Sequence, residues 1–291
     1  MQTYRFYMSN FKFITRADVQ QLVADKLSEN AIIFLSGPTS RNTPISLLRN
    51  NDVITVNGAA EYLLNNDINP FIYILTDARF LLQRRDDFYK FCRGSKYTII
   101  NTDVYDAASE EDKLYLREHC LILRALYKRE KGGFFKKLKL HTLSKLNRNL
   151  LISVPLSKRK RLVGFCKDIS FGYCSCHTVA YTAMQVAYSL KYENIICSGL
   201  DITGSCARFY DENNKPMPSE LSKDLVKILP FLRFMRDHVK DINIYNLSND
   251  TAVGYDIIPF VKANESGKLS RKRPLVNKNP DFNHKADSCI G

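Results

Sequence analysis

Four loops of this sequence place groups that can bind a polar ligand at the end of a short apolar run. The loops read LSGPTS, TVNGAA, LTDARF and CSGLDITG, and they supply hydroxyl, amide and carboxylate side chains together with glycine backbone. Such groups can hold the base, the ribose and the phosphate of a nucleotide. The candidate binding residues in these loops are Ser36, Gly37, Pro38, Thr39, Asn57, Gly58, Asp77, Gly199 and Asp201.

Each loop also has an ordinary structural interpretation. Gly37 and Pro38 could form a plain tight turn, and Asn57 could belong to an Asn-Gly turn. Asp77 could instead cap a helix that starts near Arg79. The first loop matches neither GxGxxG nor GxxxxGK[ST], which disfavours dinucleotide and P-loop chemistry. The binding interpretation therefore depends on the four loops lying at one edge of a sheet.

Two further features concern acid-base and metal chemistry. Glu220 opens a predicted helix, where it is either a general base facing the cleft or the favourable anion of a first helical turn. No DxD motif occurs, so the carboxylate pair that would hold Mg²⁺ on a nucleotide diphosphate is not visible and we expect no metal. The CSCH stretch at 174–177 lacks the second paired ligands of a zinc site.

The strands that must position these loops are predicted from near-continuous apolar runs. Such runs, unlike alternating ones, are typical of parallel strands covered on both faces. The runs begin at Ala31, Asp52, Phe71, Tyr97, Asn194 and Ile242. Helices are predicted at 17–28, 59–65, 81–93, 177–190 and 219–240. This alternation predicts a doubly wound, mainly parallel, Rossmann-like α/β sheet whose strand ends bind the ligand.

Composition limits the class of protein. The chain has 291 residues, of which 45% are apolar and 25% charged, as in ordinary globular proteins. We expect one α/β nucleotide-binding domain over residues 1–261 and a disordered tail over 262–291, which is polar and aperiodic. The sequence shows no apolar run of membrane-spanning length and no secretory signal, so we expect a cytoplasmic protein with reduced cysteines.

The positive charge is concentrated in one segment. The formal net charge is +13, and residues 128–161 hold twelve Lys or Arg against one Glu. A helical wheel places Phe135, Leu138, Leu143, Leu146 and Leu150 on one face, opposite Lys137, Lys145 and Arg148. This pattern predicts an inserted basic amphipathic helix. Leucines rather than Tyr or Trp between the charges favour an anionic lipid surface over nucleic acid, with a solvated basic loop as the alternative.

Long stretches of the chain resemble the WaaZ (RfaZ) family of lipopolysaccharide core biosynthesis proteins. They include DDFYKF, LYKREKGGFFKKLKL, LLISVPLSKRKRLVGFCKDISFGYCSCHT and SLKYENIICSGLDITGSCARFYDENNKPMPSELSKDL, and the resemblance extends to about Val261. The family is associated with adding a third 3-deoxy-D-manno-octulosonic acid (Kdo) to the inner core. The resemblance implies CMP-Kdo as donor substrate, Kdo-containing lipid A as acceptor, no cofactor and no nucleic acid. It also implies a peripheral position on the inner face of the inner membrane, reached through residues 128–161.

The order of the SGP, VNG, TD and SGLD motifs is more distantly similar to bacterial sialyltransferases that use CMP-sialic acid without a metal. This similarity implies a sialyltransferase-like GT-A variant. It places Gly37, Asn57, Asp77, Gly172 and residues 199–201 on nucleotide-contact positions. CMP-sialic acid and CMP-Kdo both carry an activated 2-keto acid, so a shared donor site is chemically reasonable.

The sequence departs from that pattern at the catalytic positions. Thr203 stands where the sialyltransferases have a first tyrosine, and Arg208 or Tyr210 approximates the second. Glu220 stands at the position of their catalytic histidine. We therefore expect Glu220 to accept the proton of the acceptor hydroxyl and Arg208, Tyr210 and Thr203 to stabilise the departing CMP.

The resulting hypothesis is an inverting, metal-independent Kdo transferase. A rival hypothesis is a non-catalytic, membrane-associated core assembly factor that has kept the nucleotide-binding fold, and the missing histidine and first tyrosine favour it. A nucleic-acid-binding protein that uses the basic segment is the weaker third alternative.

Overall fold

A computed structural model describes residues 12–127, 134–155, 162–203, 208–210 and 221–266 of the chain. The strands of its main sheet are short and almost entirely buried, as expected for a sheet covered on both faces. The strands are β1 Asn30–Phe34, β2 Asp52–Val56, β3 Ile72–Leu75, β4 Tyr97–Asn101, β5 Leu121–Leu123, β6 Ala125–Tyr127, β7 Leu150–Ser153, β8 Val163–Cys166, β9 Tyr173–Cys174, β10 Asn194–Ser198 and β11 Asn243–Asn246.

The helices fill most of the intervals between strands. They are α1 Arg16–Ala24, α2 Ile45–Arg49, α3 Ala60–Leu64, α4 Ala78–Gln83, α5 Arg85–Gly94, α6 Thr102–Ala107, α7 Glu110–His119, α8 Phe134–Leu146, α9 Val179–Ser189 and α10 Leu221–His238. Two short 3₁₀ turns, Pro38–Asn42 and Asn57–Ala59, follow β1 and β2 directly.

Seven strands form one parallel sheet in the order β11-β10-β1-β2-β3-β4-β5. The six runs predicted from the sequence are β1, β2, β3, β4, β10 and β11, and the seventh strand, β5, was not predicted. Strand order reverses between β1 and β10, because the chain proceeds from β1 toward β2 on one side and from β10 toward β11 on the other. In open α/β sheets, ligands bind beyond the carboxyl ends of the strands at such a reversal.

Alternate residues of each central strand serve two cores. In β1, Ala31 and Ile33 belong to a cluster that includes residues of α1, α9 and α10. Their neighbours Ile32 and Phe34 point to the other face, where they join Leu48 of α2 and side chains of α3. All four β1 side chains are fully buried. The doubly wound fold predicted from the apolar runs is thus confirmed.

Two predicted helix boundaries are wrong. The predicted helix at 81–93 is two helices, α4 and α5, because Arg84 between them leaves the helical conformation (φ −132°, ψ 47°) and buries its side chain over aromatic rings. The basic helix ends at Leu146, and Leu150 begins β7, which pairs antiparallel with β8. Leu150 therefore contributes to the core through a strand and not through the amphipathic helix.

Several predictions lie outside the described residues. These concern Glu220, residues 128–133 and 156–161 of the basic segment, and residues 267–291 of the predicted tail. At the start of that tail, residues 262–266 form a hydrogen-bonded turn that buries Ser266. No helix in the described parts of the chain combines the length and apolar character needed to cross a bilayer.

Candidate functional site

A cavity of about 330 Å³ opens at the carboxyl edge of the sheet, beside the reversal between β1 and β10. This is the size of small-molecule sites in proteins. Its wall combines the ends of four strands with the starts of three helices, α4, α9 and α10. The lining includes Ser36, Gly37, Pro38, Asn57, Asp77, Arg79, Cys176, His177, Thr178, Gly199, Asp201, Thr203, Arg208 and Asp224. Most of the loop residues predicted from the sequence thus lie around one space.

Two glycines let the loops after β1 and β10 contact each other. A Cβ on Gly37 would lie 2.3 Å from the carbonyl oxygen of Gly199 and 2.6 Å from Oδ2 of Asp201. A Cβ on Gly199 would lie 1.9 Å from Oγ of Ser40, and Gly199 has φ +75°, a region that favours glycine. The two glycines are therefore required for loop-to-loop contact at the edge of the cavity.

Asp201 holds these loops together. Its Oδ2 accepts from the backbone N–H of Thr39 at 3.0 Å, and its Oδ1 accepts from Oγ1 of Thr39 at 2.5 Å and from Oγ of Ser248 at 2.7 Å. Asp201 is 3% exposed. The sequence suggested that Asp201 orients a ribose or a sugar, whereas its carboxylate already accepts three hydrogen bonds from the protein. These bonds connect Asp201 to the loop that carries Ser36 and Gly37, and its predicted contact with a ribose or sugar stays a prediction.

Asn57 lines the cavity with a side-chain oxygen that has no hydrogen-bond partner among the described residues. It has φ +48°, a left-handed conformation that Asn tolerates better than most residues. Its Oδ1 is buried and accepts no hydrogen bond within the described structure, although the residue lines the cavity. A buried acceptor without a partner costs roughly 1–3 kcal/mol. A ligand that brings an N–H or O–H donor to this position would recover that cost.

Two arginines bring positive charge to the cavity. Asp77 caps α4 through the backbone N–H of Arg79 and also accepts from the Arg79 guanidinium, with Nη2 at 2.7 Å. The capping interpretation of Asp77 is therefore confirmed, and its carboxylate fixes Arg79 at the rim. Arg208 also lines the cavity, and the backbone N–H of the next residue, Phe209, donates to the carbonyl of Ser36 at 3.1 Å. That bond fastens the Arg208 segment to the loop after β1.

The start of α9, and not Gly172, reaches the cavity. Residues 176–180 line it, and Thr178 caps the helix by accepting from the N–H of Ala180. Gly172 is absent from the lining; with φ +135°, it packs against the carbonyl of Arg124 in the turn before β9. The structure therefore does not bring Gly172 to the cavity with the other predicted residues. This helix was predicted at 177–190, and Thr178, just before the apolar run, is a start signal that could have placed its first residue at Val179.

His177 and Asp224 form a pair that sequence reasoning missed. His177 precedes α9, Asp224 lies in the first turn of α10, and Nδ1 of the imidazole is 3.1 Å from Oδ2 of the carboxylate. Lys227 contacts the other oxygen of Asp224. No sequence spacing relates the two partners, which are brought together only when α9 and α10 pack on the same face of the sheet.

Tyr210 and Gly58 lie behind the cavity wall. Tyr210 is 7% exposed and is not part of the cavity lining. Its ring packs where a Cβ on Gly58 would lie, 2.5 Å from Cε2, and it faces the guanidinium of Arg84 at 5.3 Å. The structure thus places Tyr210 outside the cavity lining, and its predicted role at the leaving phosphate stays a prediction. Thr203 and Arg208 do line the cavity.

Comparison with known proteins identifies the family. The family model described as "3-deoxy-D-manno-octulosonic acid transferase WaaZ" matches residues 13–264, which include every described element of the fold. The chain belongs to this family of Kdo transferases. Within the described residues, no group of three or more His, Cys, Asp or Glu side chains is arranged to hold a metal ion.

Individual relatives agree with the family assignment. The chain is 65% identical over 279 residues to a probable 3-deoxy-manno-octulosonic acid transferase of Escherichia coli K12, covering 94% of this chain and 99% of that protein. It is 66% identical over 258 residues to a protein of the same description from Salmonella typhimurium LT2, covering 89% and 96%. A solved MAf glycosyltransferase from Magnetospirillum magneticum AMB-1 aligns at 12% identity with a TM-score of 0.44, over 82% of this chain and 34% of its own.

Proposed function

We propose that this chain transfers Kdo from CMP-Kdo to the Kdo region of the lipopolysaccharide inner core, as the third Kdo on Kdo-lipid A. An acceptor hydroxyl attacks C2 of the donor, the bond from C2 to the phosphate oxygen breaks, and CMP leaves with that electron pair. The hydroxyl proton passes to a protein base. Attack from the face opposite CMP inverts C2, and no metal takes part.

Membership of the Kdo transferase family supports Kdo as the transferred sugar. The buried Oδ1 of Asn57 supports a donor that is activated by a nucleotide. The cytosine amino group and the ribose hydroxyls of CMP are donors of the kind that this oxygen lacks. Asn57 lies at the end of β2, next to the strand reversal where open α/β sheets bind nucleotides. This one unsatisfied acceptor is the observation that carries the proposal.

The charges around the cavity suit the anionic parts of the donor. Arg79, Arg208 and the first backbone amides of α9 surround the same space. Helix N-termini and guanidinium groups stabilise phosphate and carboxylate oxygens. As C2 separates from the phosphate, the same groups can stabilise the charge that develops on CMP, with Thr203 as a further donor. Glu220, predicted to be the base, stays a prediction because it lies outside the described residues.

Helix α8 supports docking on an anionic membrane, where the lipid acceptor resides. Leu140 is buried against the core, whereas Phe134, Phe135, Leu138 and Leu146 are 50–83% exposed. At 100° per residue these four lie on the outward side of the helix. Lys139 lies on that side too, and so does Lys145, which was predicted to lie opposite the apolar face; both lysines are exposed. Exposed apolar side chains beside lysines are typical of helices that lie in the interface of anionic bilayers. We therefore propose that the protein docks through α8 on the inner leaflet of the inner membrane.

Transfer is tested by incubating the purified protein with CMP-Kdo and Kdo-containing lipid A. Mass spectrometry should detect one added Kdo and released CMP, NMR should show inversion at C2, and EDTA should not slow the reaction. Arg208→Ala should lower kcat by about 10²-fold, because it removes a cation beside the departing phosphate. Arg233→Ala, at an exposed position of α10, serves as the matched control. CMP binding without transfer to any acceptor would favour the assembly-factor hypothesis.

Docking is tested by vesicle sedimentation. The double variant Phe135→Ser/Leu138→Ser should lose binding to vesicles that contain phosphatidylglycerol, because both side chains belong to the exposed face of α8. Leu114→Ser, which changes an apolar side chain 58% exposed on α7, is the matched control. Salt should weaken binding of the wild type. Equal binding of the double variant and the control variant would refute docking through α8.

A further inference from the structure

The segment 208–210 brings a charged side chain to the cavity and anchors it with two aromatic side chains. Arg208 lines the cavity. The next two residues, Phe209 and Tyr210, are buried in the core on the face of the sheet that carries α2 and α3. Because the three residues are consecutive, the contacts that hold the two aromatic residues also set the backbone position of Arg208.

Arg41 binds Phe209 through both its backbone and its ring. Arg41 lies in the 3₁₀ turn Pro38–Asn42, which follows β1. Its Nη2 donates to the carbonyl oxygen of Phe209, and its guanidinium lies over the Phe209 ring, with 5.7 Å between Cζ and the ring centroid. The backbone N–H of Phe209 donates in turn to the carbonyl of Ser36. The loop after β1 therefore binds both polar groups of the Phe209 backbone.

The contacts of the two rings with the core differ from the contact with Arg41 in how deeply they are buried. Phe209 packs edge-on against the ring of Phe34, with 5.7 Å between centroids, and Tyr210 faces the buried guanidinium of Arg84. Substitutions there would damage the fold itself. Arg41 lies at an exposed position, so its hold on Phe209 can be removed with little loss of packing.

We infer that Arg41 is a positioning residue for the transfer, which holds Phe209 and thereby keeps Arg208 in place at the cavity. This inference rests on the proposed function, in which Arg208 stabilises the charge that develops on CMP. A guanidinium has several N–H donors, so Arg208 can keep a protein partner and still contact a phosphate oxygen. Donors of this kind are effective because they are fixed in place before the charge develops.

The position of Arg41 indicates that it acts through Arg208 and not on the nucleotide. Arg41 is not among the described residues that line the cavity, whereas Ser36 and Arg208, on either side of its contact with Phe209, both are. Loss of the Arg41 contact should therefore leave the composition of the cavity wall unchanged. It should alter how precisely Arg208 is held.

The first test is Arg41→Met, which removes the guanidinium and keeps an unbranched side chain. It should lower kcat for Kdo transfer about tenfold and raise the Kd for CMP about threefold, because Arg208 is held less precisely at the phosphate. The urea midpoint should not change. Arg41→Lys keeps a charge and a donor and should recover most of the rate. Arg49→Met is the matched control, since Nη2 of this exposed arginine donates to the carbonyl of Asn66 at 3.0 Å.

A double-mutant cycle with Arg208→Ala tests whether Arg41 acts through Arg208. With Arg208 absent, Arg41→Met should change kcat and the Kd for CMP by no more than about twofold, because the group that it positions is gone. The same tenfold loss of kcat in both backgrounds would mean that Arg41 acts by its own charge, by a substrate contact or through the general stability of the fold, and would refute the inference. A single variant no worse than Arg49→Met would refute it too.

The CMP measurements separate this inference from the proposed function. A wild type that binds CMP but transfers Kdo to no acceptor overturns the proposed function. In that case the cycle in the Kd for CMP still supports or refutes the positioning of Arg208 by Arg41. An active wild type in which the two substitutions are additive leaves Kdo transfer standing and refutes the role of Arg41. A wild type that neither binds CMP nor transfers Kdo overturns both.

Discussion

The two sides of the cavity differ in how completely their polar groups are satisfied. One side, here called the clamped wall, consists of residues 36–40 and 199–201, where Asp201 accepts three hydrogen bonds and two glycines bring the loops into contact. The other, here called the open wall, consists of Asn57, His177 and Asp224. It has a buried amide oxygen that accepts no bond from the described residues and an imidazole 33% exposed to the cavity.

This difference distinguishes residues that stabilise the fold from residues that are available to a ligand. Polar groups that already have partners inside the protein stabilise the fold and have little capacity left for a ligand. The buried oxygen of Asn57, which accepts no bond from the described residues, is costly to the folded protein and could accept a hydrogen bond from a ligand. Substitutions in the clamped wall should therefore change stability first, and substitutions in the open wall should change binding or rate with little change in stability.

Gly199→Ala should have the largest effect, through the clamped wall. The new Cβ would lie 1.9 Å from Oγ of Ser40, in a backbone with φ +75°. Overpacking and strain of this kind each cost roughly 1–3 kcal/mol, so we expect a loss of about 2–4 kcal/mol in the free energy of unfolding. Urea denaturation measures it. Gly254→Ala is the control, because its Cβ would meet only the mobile end of the Asp256 side chain; equal losses would refute the loop-contact argument.

Asp201→Asn should have the next largest effect. The amide nitrogen must face either Thr39 or Ser248, both of which donate to the carboxylate, so at least one buried donor loses its acceptor. The expected loss is about 1–3 kcal/mol. Thermal and urea unfolding measure it, and Asp256→Asn, on an exposed side chain, is the control. A stable Asp201→Asn variant that loses only CMP binding would show that Asp201 serves the ligand and not the scaffold.

The pH dependence of the free energy of unfolding, compared between the wild type and Asp224→Asn, tests the open wall. The folded-state pKa of Asp224 lies below the ordinary value of 3.8, so the unfolded chain binds this proton more readily than the folded one. The stabilisation is therefore complete above pH 3.8 and is lost as the pH falls below that value. At neutral pH the variant should be less stable by at most about 1 kcal/mol, as expected for a partly exposed ion pair. A stability difference between the two proteins that does not shrink as the pH falls progressively below 3.8 would contradict this assignment.

The central sheet was predictable because its strands are buried on both faces. The runs around Ile32 and Ile196 are continuous in apolar residues, and a helix lies on each face of them. The short strand β5 was missed because three residues are too few for a periodic signal. The predicted end of α8 was wrong because the helical wheel included Leu150 in the apolar face. The helix ends earlier, and the side chain of Asn147 accepts from the backbone N–H of Asn149 in the turn that follows it.

The site residues that could be predicted are those in loops that directly follow a strand of the parallel sheet. Ser36, Gly37, Asn57 and Asp77 lie at the cavity because parallel strands end at a common edge. What the sequence could not supply is the contact between distant segments. The clamp from Asp201 to Ser248 and the pairing of His177 with Asp224 depend on the packed positions of helices and loops. The burial of Tyr210 could not be predicted for the same reason, since it depends on Gly58 and Arg84.

Asn57→Gly should have the smallest effect on stability and provides the sharpest contrast with Asp201→Asn. Glycine keeps the φ of +48° without strain and removes the unsatisfied oxygen, so the free energy of unfolding should change by no more than about 0.5 kcal/mol. The Kd for CMP should rise about tenfold, the equivalent of one lost hydrogen bond. Calorimetry with CMP measures the affinity, and Asn50→Gly, an exposed position after α2, is the control. Unchanged CMP affinity would mean that the buried oxygen of Asn57 does not accept a hydrogen bond from the nucleotide. The open wall would then have no demonstrated part in CMP binding.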